Sequence, residues 1–161
     1  MRRLFNMPKL EGKEHKKLIL VKVLKKELRG VSLDSIDQEI TKFSQKLDLL
    51  KVQVFGPLVI HNIGTNIHED GTMTMDYDLI IQAHDYMQYK NEFIIEDRLV
   101  CEHCLYIHFD GRPEDLSYAH MKIDLYEYEN DLVTKGEMYT VCISEGENHV
   151  VMDLFKPVVF A

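Results

Sequence analysis

The side chains best suited to chemistry in this sequence are thiols and imidazoles. Cys101-Glu102-His103-Cys104 has the C-x-x-C spacing that serves both redox and zinc chemistry. A redox pair sits at a helix N-terminus, where the helix dipole lowers the thiol pKa, whereas this motif lies inside Leu99–Phe109, a stretch that reads as strand. In a regular strand Cys101 and His103 point one way while Cys104 and His108 point the other, so a chelate requires a bulge. No second C-x-x-C and no H-x-x-x-H completes a set of four ligands, so the thiols read as structural and no metal is expected. The eight histidines (His15, His61, His68, His84, His103, His108, His120 and His149) are scattered, and none forms H-E-x-x-H. No G-x-S-x-G, G-x-x-x-x-G-K-[ST] or G-x-G-x-x-G occurs, so hydrolase elbows and phosphate loops lack support and no cofactor is implied.

Gly136-Glu137-Met138-Tyr139 is more informative. Strand alternation places Glu137 on the face of Tyr139, which continues into Val141 and Ile143. A carboxylate beside a phenol on an apolar face suits a cation in a dry pocket, through charge and the aromatic quadrupole. The alternative is a solvated glutamate at the exposed start of a strand.

The elements that position these residues follow from periodicity. Residues 1–16 mix charge with Pro8 and Gly12 and read as a mobile basic arm. Lys17 to Leu24 reads as a strand. Ser32 is an N-cap candidate, Val31 and Ile36 form a hydrophobic staple, and Ile36, Ile40, Phe43, Leu47 and Leu50 form one apolar stripe, predicting a helix over 32–50. Leu58–Ile60 and Met73–Ile81 flank the turn dipeptide Asp70-Gly71. The second of these strands alternates, with Met73, Met75, Tyr77, Leu79 and Ile81 inward and Thr72, Thr74, Asp76 and Asp78 on a face expected to be wet.

After a connector at 84–92 the order repeats. Phe93–Ile95 and Leu99–Phe109 are extended. Pro113-Glu114-Asp115 starts a helix over 113–130 with an inner stripe of Leu116, Ala119, Ile123 and Tyr126. Two strands around Glu145-Gly146 close the chain. The turn glycines Gly71 and Gly146 lie 75 positions apart, which points to a duplicated β-α-β-β unit with halves of about 17–84 and 92–158.

Length and charge bound the function. The 161 residues suit one domain, 17–161, after the arm, with a core supported by a 45% hydrophobic fraction. Net charge is −8, yet six basic residues (Arg2, Arg3, Lys9, Lys13, Lys16 and Lys17) face only Glu11 and Glu14 at the N-terminus. The remaining body is strongly acidic and repels phosphate, so no nucleic-acid partner is expected. Leu4–Pro8 is too short for a signal core, and the longest apolar run, Leu18–Leu24, is broken by Lys22, so no membrane partner is expected. Three cysteines without an export signal read as reduced thiols in the cytoplasm.

The duplicated order resembles the GyrI-like small-molecule-binding domain, the effector-binding domain of bacterial multidrug-responsive transcription activators. The matching stretches are Phe55-Gly56-Pro57-Leu58-Val59-Ile60, Tyr106-Ile107-His108-Phe109-Asp110-Gly111, Glu137-x-Tyr139 and Met152-Asp153-Leu154-Phe155-Lys156-Pro157-Val158. The resemblance covers about residues 17–158. It implies an α+β fold, a duplicated β-α-β-β in one curved antiparallel sheet with two helices packed on one face. Ligands of that family, often lipophilic cations, sit between the halves, and a glutamate near the start of the penultimate strand neutralises them. Glu137 matches that glutamate and Tyr139 the aromatic residue two positions on, with Tyr77 and Tyr106 expected within reach of the same cavity.

No helix-turn-helix precedes the domain and no tryptophan is present, and the second helix is more polar than a drug pocket requires. The reading is therefore a stand-alone binding or sequestering module for small, cationic lipophilic molecules. Its alternatives are a protein-interaction or secretion-associated accessory protein that keeps the fold without a ligand, and a small-molecule hydrolase using Glu137 and Tyr139. The partner is thus a small molecule or another protein.

Overall fold

The computed structural model describes residues 13–159. Its elements are β1 (Lys13–Ser32), α1 (Ile36–Leu49), β2 (Val54–Ile67), β3 (Met73–Ala83), β4 (Ile94–Gly111), α2 (Leu116–Glu129), β5 (Met138–Glu145) and β6 (Val150–Pro157). Residues 13–16, expected in the N-terminal arm, are already part of β1. The rest of that arm, 1–12, lies outside the described residues. The chain divides into two compact units. One is Ile19–Val100, and the other runs from Cys101 onward together with the first residues of β1.

In the Ile19–Val100 unit β3 is central, with β1 and β2 antiparallel to it on either side. Ser32 Oγ accepts from the Asp34 N–H at 3.4 Å, and a 3-10 turn over Leu33–Ser35 leads into α1, so the regular helix begins four residues after the cap. Phe43 and Leu47 of α1 bury against Leu24, Tyr77, Leu79 and Ile81. Each such side chain contributes about 1.5–3 kcal/mol of apolar burial. The β2–β3 turn is closed by Asp70, whose Oδ1 accepts from the Thr72 N–H at 3.0 Å and the Thr72 hydroxyl at 2.7 Å. Gly71 supplies the positive φ of 85° that this turn needs.

The expected wet face of β3 is only partly wet. Thr74 and Asp76 are half-buried, but Asp78 and Ile80 are buried, as is Val59 opposite Ile80. From Tyr77 to Ile81 the strand is thus buried on both faces. Alternation misled because a buried aspartate reads as a surface one until its partners are known.

The second unit repeats the plan. Here β6 is central, between antiparallel β4 and β5. Pro113–Asp115 form a 3-10 turn into α2, and Arg112 Nε donates to Asp115 Oδ2 at 3.2 Å. Ala119 and Ile123 of α2 bury against Leu105, Ile107, Phe109 and Leu154, with Leu116 and Tyr126 packed at the margin. The segments expected to be extended at 93–95 and 99–109 belong to one long strand, β4, starting at Ile94. Each unit is therefore antiparallel strands carrying one helix, in the order strand, helix, strand, strand.

Candidate ligand-binding site

The face of β4, β6 and β5 turned away from α2 carries the polar and aromatic residues of the second unit. Register sets Tyr106 opposite Phe155 and Phe155 opposite Tyr139, one aromatic row across three strands. Tyr139 and Phe155 are buried and Tyr106 is half-buried. The Tyr106 and Phe155 rings lie 5.0 Å apart, tilted by 47°, within the range of favourable aromatic pairing. In the next row His108 faces Asp153, and Asp153 faces Val141.

Asp153 ties the two rows together. Its Oδ1 accepts from the Tyr106 hydroxyl at 2.8 Å and lies 2.6 Å from His108 Nδ1. Burial, and then the hydrogen bond to this carboxylate and its charge, push the Tyr106 phenol up to about 12. Lys16 Nζ stands 5.8 Å from the centre of the Tyr106 ring, a cation already placed against an aromatic wall of this face.

Glu137 is half-buried, one residue before β5 and two before Tyr139. Its charge reaches the fully buried Cys104. The hydrogen bond with Cys101, then burial and the charges of Cys101 and Glu137, hold the Cys104 thiol well above its ordinary range. Such a thiol stays protonated and is a poor nucleophile. Cys104 Sγ also donates to the Cys101 carbonyl at 3.8 Å. The alternation expected for the C-x-x-C segment is broken here: Glu102 and His103 are both exposed, and Cys104 and Leu105 both buried. Among the described residues no group of three or more His, Cys, Asp or Glu is arranged to hold a metal ion.

Of the four residues singled out in the sequence, the second unit brings Tyr106 and Tyr139 into one row, with Glu137 just beyond it in the chain. Tyr77 belongs to the other unit, inside the core beneath α1, where its buried hydroxyl has no hydrogen-bond partner among the described residues. Burial, and then the charges of Glu39 and Asp37, raise its pKa.

Sequence reasoning missed three buried charges or charge partners. Asp153 was read only as part of a closing motif. Asp78 accepts from Arg29 Nη1 at 2.9 Å and lies 3.4 Å from His61 Nδ1. Burial alone would raise the Asp78 pKa, but the hydrogen bonds from His61 and Arg29 and the charges of Arg29 and Lys25 outweigh it and lower it. Lys156 is buried with Nζ donating to Glu127 Oε2 at 2.7 Å and Asp124 Oδ1 at 3.1 Å. The one available signal was the 75-residue offset, which relates Asp78 to Asp153 as it does Gly71 to Gly146.

No family profile and no curated protein matches the chain in sequence. Solved structures match it in shape. The C-terminal domain of EcmrR is similar over 95% of this chain and 98% of that domain, at 12% identity and a TM-score of 0.63. Against the longer EcmrR chain in a DNA complex, this chain spans 58% of the length, with a TM-score of 0.62 at 14% identity. A hydrolase from Listeria innocua is similar over 98% of this chain and 96% of its own, at 11% identity and a TM-score of 0.51. SAV2435, solved bound to tetraphenylphosphonium, is similar over 94% of both chains at 15% identity, with a TM-score of 0.48.

The fold is that of the EcmrR C-terminal domain. Among the described residues no helix is long and apolar enough to cross a membrane.

Proposed function

We propose that this chain is a small-molecule-binding domain of the GyrI-like kind, acting in the cytoplasm on lipophilic cations. Glu137 supplies the counter-charge, and Tyr139, Tyr106 and Phe155 supply the aromatic wall. The observation that carries the proposal is the Tyr106–Phe155–Tyr139 row with a half-buried carboxylate two residues ahead of Tyr139. An aromatic face attracts a desolvated cation by about 2 kcal/mol or more through the ring quadrupole. A carboxylate at its edge adds a charge that a neutral ligand does not use.

The test is calorimetric titration of the intact chain with tetraphenylphosphonium and with the neutral triphenylphosphine oxide. Binding of the cation at least tenfold tighter than the oxide supports the proposal. Equal binding of the two, or binding of neither, contradicts it.

A further inference from the structure

The two helices of the duplicated fold occupy equivalent places, yet their outer faces differ. On α1 the exposed residues Gln38, Thr41, Lys42 and Gln45 are polar, and Leu49 in the last turn is the lone exposed large hydrophobic side chain. On α2 the residues Tyr118, Met121, Leu125 and Tyr128 recur at spacings of three, four and three. Tyr118 is half-buried, while Met121, Leu125 and Tyr128 are 61%, 49% and 81% exposed. This stripe is separate from the inner one of Leu116, Ala119, Ile123 and Tyr126 that packs on the strands. α2 is therefore apolar on two faces, and α1 shows that the fold requires only one. The 3-4-3 spacing is the a/d pattern of a helix that packs against another helix.

We infer that this outer stripe is the seam of a two-fold homodimer, α2 lying antiparallel to α2 of a second copy with Leu125 at the axis. The charges beside the stripe select a second copy in this orientation. Lys122 and Glu129 lie on the same flank and nearly equidistant from Leu125. Two-fold antiparallel pairing therefore sets Lys122 of each chain against Glu129 of the other, two opposite-charge contacts made at once. Parallel pairing would instead turn this flank toward the Asp124 flank of the second copy, setting Glu129 against Asp124, a like-charge contact. On the other flank Asp124 is already answered within its own chain by Lys156 at 3.1 Å. Met121 and Tyr128 exchange across the axis in the same way, so the apolar and charged parts of the stripe agree on one geometry.

Sedimentation velocity of the full chain over about 1–200 μM tests this, in the range where modest helix seams associate. The wild type is expected to dimerise, and Leu125→Glu to be monomeric with an unchanged far-ultraviolet circular dichroism spectrum. Lys122→Glu and Glu129→Lys should each weaken the dimer about tenfold, and the double variant should recover most of that loss. Gln45→Glu on α1 should change nothing. If Leu125→Glu fails to fold, the charge-swap series decides alone. A wild type that stays monomeric throughout would overturn the inference. So would a dimer that survives Leu125→Glu, or a double swap no tighter than its single variants.

Discussion

Asp78 and Asp153 hold the same position of the repeat: each lies on the central strand of its unit, seven residues beyond a turn glycine, facing a histidine Nδ1. The histidine comes from β2 in the first unit (His61, 3.4 Å) and from β4 in the second (His108, 2.6 Å). What differs is the third partner. Asp78 has the Arg29 guanidinium at 2.9 Å, whereas Asp153 has the Tyr106 hydroxyl at 2.8 Å. The first unit thus carries its own fixed cation beside the carboxylate. The second couples its carboxylate to an aromatic ring of the proposed site.

Asp78→Asn should destabilise the chain by about 2–4 kcal/mol, because Arg29 keeps its charge and loses a buried partner. The Asp78 pKa is lowered in the fold. Its contribution is therefore present above the unfolded-state value and lost as pH falls through the lowered folded one. Urea denaturation between pH 2 and 7 should show an acid limb flatter in Asp78→Asn than in wild type. Parallel limbs would contradict the assignment.

Lys156→Ala should cost about 2–3 kcal/mol, less than a fully buried ion pair because Asp124 is largely exposed. Burial lowers the Lys156 pKa, but its hydrogen bonds to Glu127 and Asp124 and their charges outweigh it and raise it. The stability it contributes is complete below the unfolded-state value and declines as pH rises through the folded one. A wild type that loses stability above about pH 10 no faster than Lys156→Ala would contradict this.

Tyr106 should ionise late, since its phenol is held at about 12. Absorbance titration of phenolate should lose a late component in Tyr106→Phe. In Asp153→Asn that component should move to lower pH, because the neutral amide no longer opposes a phenolate. An unchanged titration in Asp153→Asn would mean that burial alone sets the value.

Tyr77→Phe removes a buried hydroxyl that has no hydrogen-bond partner among the described residues. Leaving such a group unsatisfied costs about 1–3 kcal/mol, so the variant should be more stable by about 1 kcal/mol in urea. A loss of stability would show that the hydroxyl is satisfied in solution.

The features legible in the sequence are those with a period or a turn signature. The inner stripes of α1 and α2 came from 3.6-residue spacing, and the β2–β3 turn from Asp70-Gly71. Asp78 was not legible, since an aspartate in an alternating strand reads as solvated. Its tolerance for burial depends on Arg29 and His61, 49 and 17 positions away. Lys156 escaped for the same reason, its counter-charges lying on α2. The pairing of Tyr106 with Tyr139 through Phe155 depends on strand register, which no local pattern encodes. Tyr77 is an inward residue of an alternating strand, and alternation alone does not separate a core tyrosine from a pocket one.

Glu137 is the residue on which the functional reading rests. The most direct measurement is calorimetric titration of wild type and Glu137→Gln with tetraphenylphosphonium and triphenylphosphine oxide in parallel. Removing the charge should weaken the cation by about 1–3 kcal/mol, as for the loss of a partly desolvated ion pair, and leave the oxide within experimental error. Equal weakening of both ligands would reduce Glu137 to a shape contact. Cation binding unchanged by the substitution would contradict the proposed site.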